Sequence, residues 1–215
     1  ITTANSNADL NVIEFDISGS GVKTITPATV LPTITQPVII DGLSQTGAAC
    51  GTPLVEINGA STAGVNGLTI TGGADIRGLI INNFDDDGIA FSIKGSNSVK
   101  CSFIGTTADG MSPARNGRNG LSFYIVSNNT VGGSDGDGNV ISSNAALCGA
   151  GCFVDAGIYM DRSENSVIQG NIIGPNKMGL FTTPFVNAKQ ENGILLVNGR
   201  NNLVGGTSAS ARNII

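Results

Sequence analysis

Through most of the chain, apolar and polar residues alternate in short runs, and a recurring one of these runs is opened by a glycine. The clearest copies are Gly67-Leu68-Thr69-Ile70, Gly88-Ile89-Ala90-Phe91, Gly120-Leu121-Ser122-Phe123, Gly157-Ile158-Tyr159-Met160 and Gly193-Ile194-Leu195-Leu196. Period-two alternation is the mark of a strand with one buried face, and no stretch sustains the 3.6 period of a helix. In the last four copies an aliphatic residue falls eleven positions after the glycine: Val99, Val131, Ile168 and Val204. An asparagine stands two or three places before each of them (Asn97, Asn128 and Asn129, Asn165, Asn201 and Asn202). A third short run closes each unit, as Phe103-Ile104, Val140-Ile141, Ile172-Ile173 and Ile214-Ile215.

Three strands per unit, with loops absorbing the differences in length, predict a coil wound around a three-sided core. The pattern sends Ile89, Phe91 and Ile93 inward and Ala90 and Ser92 outward. A single unit leaves its inward side bare, so units must stack about 4.8 Å apart. Burying about five or six side chains per turn contributes on the order of 10 kcal/mol before conformational entropy is subtracted. Parallel crossovers set the hand. The expected fold is therefore all-β: a right-handed, single-stranded parallel β-helix of roughly seven turns, a rod about 35 Å long. One domain covers 1–215, with opening turns over 1–60 and regular turns over 61–215. Long loops, 105–119 and 174–192, leave one corner on alternate turns. Asparagines at equivalent corners (Asn139, Asn171, Asn213) tolerate left-handed backbone and can hydrogen-bond the corner above. Ile1 begins without a cap and Ile215 falls inside a strand, so both ends are expected to be cut, or to pair with other copies in a filament.

Composition narrows the partners. Glycine supplies 31 of 215 residues and charged residues only 13%, with a mean hydropathy of +0.17. Disorder requires the opposite balance. A net charge of −5 without a basic cluster argues against a nucleic-acid partner, and no apolar run is long enough to span a membrane. Four cysteines, Cys50, Cys101, Cys148 and Cys152, suggest disulfides and a secreted or cell-surface setting. Cys148 and Cys152 can close a small ring, which leaves Cys50 for Cys101, but three pairings are open. A zinc site is the competing reading, and the chain has no histidine to complete one.

The register set by the glycines lines up outward residues between turns. One column reads Thr69, Ala90, Ser122, Tyr159, Leu195; the next reads Thr71, Ser92, Tyr124, Asp161, Val197. Tyr124, Tyr159 and Asp161 are the ligand-binding candidates, since a sugar ring stacks on an aromatic face while a carboxylate takes its hydroxyls. Two exposed tyrosines also simply suit a strand surface. Two places before each glycine stand Asp86, Arg118, Asp155 and Glu191. Asp86 and Asp155 should flank Arg118 in a charge ladder, whereas Asp155 and Glu191 stack without a cation between them. Asp155, Glu191 and Asp161 are accordingly the catalytic candidates for a polysaccharide lyase or glycoside hydrolase. Asp85, Asp86 and Asp87 precede Gly88, and Asp135, Asp137 and Asn139 have the 1-3-5 spacing of a calcium loop. That loop has Val140 where glycine is usual and Ala146 in place of the closing glutamate. Calcium is the one ion this spacing brings into view, and no other cofactor is implied. Asn128-Asn129-Thr130 matches a glycosylation acceptor.

Gly170-Asn171-Ile172-Ile173-Gly174, Asn128-Asn129-Thr130-Val131-Gly132-Gly133 and Asn192-Gly193-Ile194-Leu195-Leu196 resemble bacterial right-handed β-helix repeat proteins of the pectate-lyase-like superfold. The segment Val22 to Pro27, followed by Leu31 to Gly42, is similar to the opening turns of large surface proteins in that group, and Ile1 to Asn5 to the tail of their capping helix. The resemblance covers nearly the whole chain and implies the fold. It does not imply one activity, because the superfold hosts lyases, hydrolases, adhesins and phage spikes. Without histidine, the chain lacks the histidine motif of its pectin-cleaving hydrolases. Lys94 and Arg162 follow first strands, but neither sits against the acidic cluster that its lyases use with a basic residue. The leading expectation is a non-enzymatic extracellular stalk or adhesive segment that touches polysaccharide.

Overall fold

A computed structural model describes residues 1–144, 155–187 and 190–215. A short helix, α1 (Thr2–Asn5), precedes strands β1 (Asn11–Glu14) and β2 (Lys23–Ile25), and Ile34 completes the first coil by bridging to Ile70. The second coil is β3 (Val38–Asp41), β4 (Val55–Asn58) and β5 (Leu68–Ile70); the third is β6 (Ala74–Arg77), β7 (Leu79–Asn82) and β8 (Ile89–Ser92). The fourth is β9 (Ser98–Lys100), β10 (Phe103–Ile104) and β11 (Leu121–Tyr124). The fifth is β12 (Thr130–Gly132), β13 (Val140–Ile141) and β14 (Ala156–Asp161). β15 (Val167–Gln169), β16 (Ile172–Ile173), helix α2 (Thr183–Asn187) and β17 (Asn192–Val197) form the sixth. β18 (Leu203–Val204) and Ile214 begin a seventh.

These strands pair in parallel and sort into three sheets. Sheet A stacks β1, β3, β6, β9, β12, β15 and β18; sheet B stacks β2, β4, β7, β10, β13 and β16; sheet C stacks β5, β8, β11, β14 and β17. The chain visits A, B and C in rotation, so neighbours within a sheet lie one coil apart. This is a parallel β-helix with three strands per turn, wound right-handed as parallel crossovers within a sheet are.

The core is a set of files running along the axis. Ile89, Leu121, Ile158 and Ile194 are register partners, as are Val99, Val131, Ile168 and Val204. Ile81, Ile104, Ile141 and Ile173 line the third side. Phe91 and Phe123 stack face to face, 4.6 Å between ring centroids. The opening glycines owe their place to crowding. A Cβ on Gly88, Gly120 or Gly157 would fall 2.6–2.8 Å from the carbonyl oxygen of the glycine one coil on, and 2.7–2.9 Å from a core isoleucine Cγ2. Any side chain there would force neighbouring coils apart.

Asparagine ladders tie the corners between coils. Asn139 donates through Nδ2 to Asn171 Oδ1 (2.9 Å), and Asn171 Nδ2 to Asn213 Oδ1 (3.1 Å), while each acceptor oxygen also takes the backbone N–H of the residue below. A second ladder runs through Asn97, Asn129, Ser166 and Asn202. At the corner opening sheet C, Asp87 Oδ1 accepts from the Asn119 backbone and side chain, and Asn119 Oδ1 accepts from Ala156 N–H. Buried coil ends would otherwise strand backbone donors, at about 1–3 kcal/mol each.

Two expectations need correction, on Ile93 and on the spacing of the long connections. Ile93 does not face inward: it is 76% exposed with φ +72°, because the chain turns out of sheet C directly after Ser92. The corners Asn139, Asn171 and Asn213 do hydrogen-bond to one another, without using the left-handed backbone that asparagine tolerates. Among the asparagines that conformation belongs to Asn83, directly after β7, and to Asn128, Asn165, Asn198 and Asn201, at the tight turns that enter and leave the corner from sheet C to sheet A. Long connections also do not alternate strictly, since the chain between Ile141 and Ala156 is long as well as those after β10 and β16.

Candidate functional site

The outer face of sheet C brings the ligand-binding candidates together. Tyr124 pairs in register with Asp161, and Ser122 with Tyr159, so both tyrosines and the carboxylate occupy adjacent rungs. Sequence reasoning did not assign Arg162 to this group. Its backbone is left-handed at the end of β14 (φ +48°), which turns its side chain back across the strand. The guanidinium carbon lies 5.0 Å from the Tyr124 ring centroid, Nη2 donates to the Tyr124 hydroxyl at 2.6 Å, and Nη2 also meets Asp161 Oδ2 at 3.1 Å. Asp161 holds the Arg162 guanidinium pKa above its ordinary value. Burial pushes the Tyr159 hydroxyl up, helped by Asp161 and Tyr124. Tyr124 is 49% exposed, whereas Asp161 is buried and its Oδ1 has no hydrogen-bond partner among the described residues. The group is a pad with one half-exposed aromatic ring, a cation lying over that ring and a buried carboxylate on the neighbouring rung.

The acidic corner behaves differently. Arg118 does stand between Asp86 (Nη1 to Oδ1, 3.4 Å) and Asp155 (Nε to Oδ1, 3.9 Å). Ala156 pairs with Asn192, which sets Asp155 and Glu191 on adjacent rungs. Asp155 is 2% exposed, while Glu191 faces solvent. Burial raises the Asp155 carboxyl above the ordinary carboxylate range; Arg118 opposes this, and Asp87, Glu191 and Asp86 reinforce it. Two of the three catalytic candidates therefore already have cationic neighbours, Asp155 in Arg118 and Asp161 in Arg162.

The side chains of the calcium-type loop are engaged elsewhere. Asp137 accepts from Lys100 Nζ at 2.9 Å, Asn139 is part of a buried ladder, and Asp135 meets the Ser134 hydroxyl at 3.4 Å. Among the described residues, no three His, Cys, Asp or Glu side chains gather closely enough to hold a metal ion. Cys50 is bonded to Cys101, one of the pairings left open above. Cys148 and Cys152 lie outside the described residues. Asn128 is exposed at a left-handed corner, with Thr130 opening β12. No helix among the described residues is long and apolar enough to cross a membrane.

A second surface was not legible in the sequence. On sheet B the outward column reads Thr24, Glu56, Ile80, Phe103, Val140 and Ile172. Ile80, Phe103 and Val140 form a small apolar cluster outside the main core, against which Ala108 packs. The disulfide draws the segment around Cys50 up to the corner at Cys101, two coils further on, while the loops after β10 and β16 close the opposite side. Only the first residue of the two-residue strands Phe103-Ile104 and Val140-Ile141 is affected, too short a signal for periodicity to separate outward from inward.

Fold and surface together define a parallel β-helix bearing an aromatic and charged pad on one face and a walled groove on another. Comparison with family models, curated proteins and solved structures yields no match.

Proposed function

We propose that this chain is a non-enzymatic extracellular β-helix, a stalk or adhesive segment, that contacts polysaccharide through the outer face of sheet C. The observation that carries the reading is the pad of Tyr124, Tyr159, Asp161 and Arg162 on adjacent rungs. A half-exposed aromatic ring accepts the apolar face of a sugar, and paired charged groups beside it exchange hydrogen bonds with hydroxyls. A rigid rod that repeats every coil suits a role in which position matters more than chemistry. The disulfide fits an oxidising compartment.

A glycan array combined with a depolymerisation screen on neutral and acidic polysaccharides tests this. Binding without cleavage is expected, with Tyr124→Ala lowering affinity about tenfold, the scale of one lost stacking contact. Cleavage that disappears in Asp155→Asn would overturn it in favour of a polysaccharide lyase or glycoside hydrolase. The raised Asp155 carboxyl beside Glu191 is the feature that favours this second reading.

A further inference from the structure

We propose that the groove over sheet B is a separate binding site, for an extended peptide segment that carries a carboxylate between apolar side chains. Two adjoining cavities make up this groove. The inner one, about 220 Å³, is lined by Cys50, Phe103, Val140, Ile172 and Lys177 together with glycine backbone. The outer one, about 470 Å³, is lined by Val22, Thr52, Pro53, Leu54, Thr107, Ala108, Asp109 and Lys177. They share Lys177 and successive residues of one wall, Cys50 and Gly51 in the first, Thr52 to Leu54 in the second. Val22 adjoins the first strand of sheet B and Ile172 lies in its last, five strand spacings away. At about 4.8 Å per rung that is roughly 24 Å, the length of about seven extended residues.

In the inner cavity the chemistry of the lining separates a peptide from a sugar. Sugar hydroxyls leaving water need hydrogen-bonding side chains to receive them. In the inner cavity the side-chain donors and acceptors are Asn139, already committed to its ladder, and Lys177. The remaining surface is apolar or backbone, which suits apolar side chains and a main chain. Lys177 supplies the charge to be matched. Its ammonium lies 6.0 Å from the centroid of the Phe103 ring, half-buried, and forms no salt bridge among the described residues. Asp109 lines the outer cavity beside it and feels its charge, but that carboxylate already accepts from the Thr107 hydroxyl and the Met111 N–H (3.0 Å). The inner end of the groove is where Lys177 has no acidic neighbour in the lining. A carboxylate entering the groove would find a cation over an aromatic floor, with the Lys177 backbone pinned to Gly110 O at 3.0 Å.

Panning a displayed library of random eight-residue peptides against the intact, oxidised protein tests the proposal, with anisotropy measured on synthetic copies of the selected peptides. The expected outcome is enrichment of an acidic residue flanked by apolar ones. Lys177→Glu and Lys177→Gln should each weaken binding about tenfold, Lys177→Arg should stay within about threefold, and Tyr124→Ala should have no effect. The last arm keeps this result independent of the sheet C reading. Unfolding midpoints equal to the parent's confirm that the variants are folded. Three results would overturn it: no enriched sequence, peptides indifferent to both Lys177→Glu and Lys177→Gln, or an oligo-uronate that binds through Lys177 more tightly than any peptide.

Discussion

At Asp155 the fold places a carboxyl where water scarcely reaches, 2% exposed, with a single guanidinium 3.9 Å away and three acidic residues in the neighbourhood. Burial and the like charges outweigh Arg118, so the folded state holds this proton to a higher pH than the unfolded chain does. The sign of the linkage follows. The contribution is fully present below the ordinary carboxylate value of about 4 and is lost as pH rises through the raised folded value. Asp155→Asn should therefore flatten the decline of the urea midpoint over that window. Parallel curves for parent and variant would refute the assignment. Sequence register alone put Asp86 and Asp155 on either side of Arg118, because column positions depend only on spacing. It could not say that Asp155 is covered and Glu191 open, since that depends on how loops fold over the corner. Arg162 shows the same division. Its place after the strand was visible, but its contact with Tyr124 required the left-handed turn at its own backbone.

At the scale of elements, the segment joining β3 to β4 is held across two coils by Cys50–Cys101, with Cys50 Sγ 3.0 Å from the Gly136 carbonyl oxygen. This cross-link spans 51 residues of sequence. Constraining a loop of that size in the unfolded chain contributes about 4 kcal/mol on the chain-entropy account. Reduction, or Cys50→Ser with Cys101→Ser, should lower stability by up to that amount in denaturant titration and open one wall of the sheet B groove. A change under about 1 kcal/mol would mean that the segment is held by its packing instead. The pairing was one of three possibilities in the sequence; only the proximity of the two corners selects it. The asparagine ladders were partly visible for the opposite reason. Their residues recur at fixed spacing, although Ser166 rather than Asn165 continues the second ladder. Asn165 instead takes the left-handed corner, φ +53°.

Across the whole molecule each coil touches chiefly the one before and the one after, so stability is a sum of rung interfaces rather than one indivisible core. Rungs flanked on both sides should open least. Hydrogen exchange is expected to show the slowest amides in β8 and β11, where Ile89, Phe91, Leu121 and Phe123 are at most 1% exposed. The fastest should lie in β1 and β18, where Val12, Leu203 and Val204 are 43–55% exposed. Uniform protection along the rod would indicate a single cooperative unit instead. The same linear build explains why the two candidate surfaces are distinct: they occupy different sides of one three-sided rod and share no residue.

The sequence by itself determined the repeating unit, its three strands, the interior files and the outward columns of sheet C, because each depends on spacing along a chain whose strands all run the same way. A glycine crowded by the coil above and an asparagine bonded to its copy leave periodic marks. Tertiary structure alone decided which side chains the loops cover, which cysteine meets Cys50, and that sheet B carries a groove with Lys177 in its middle. Those outcomes depend on chain segments of irregular length converging in space, and irregular segments have no period to read.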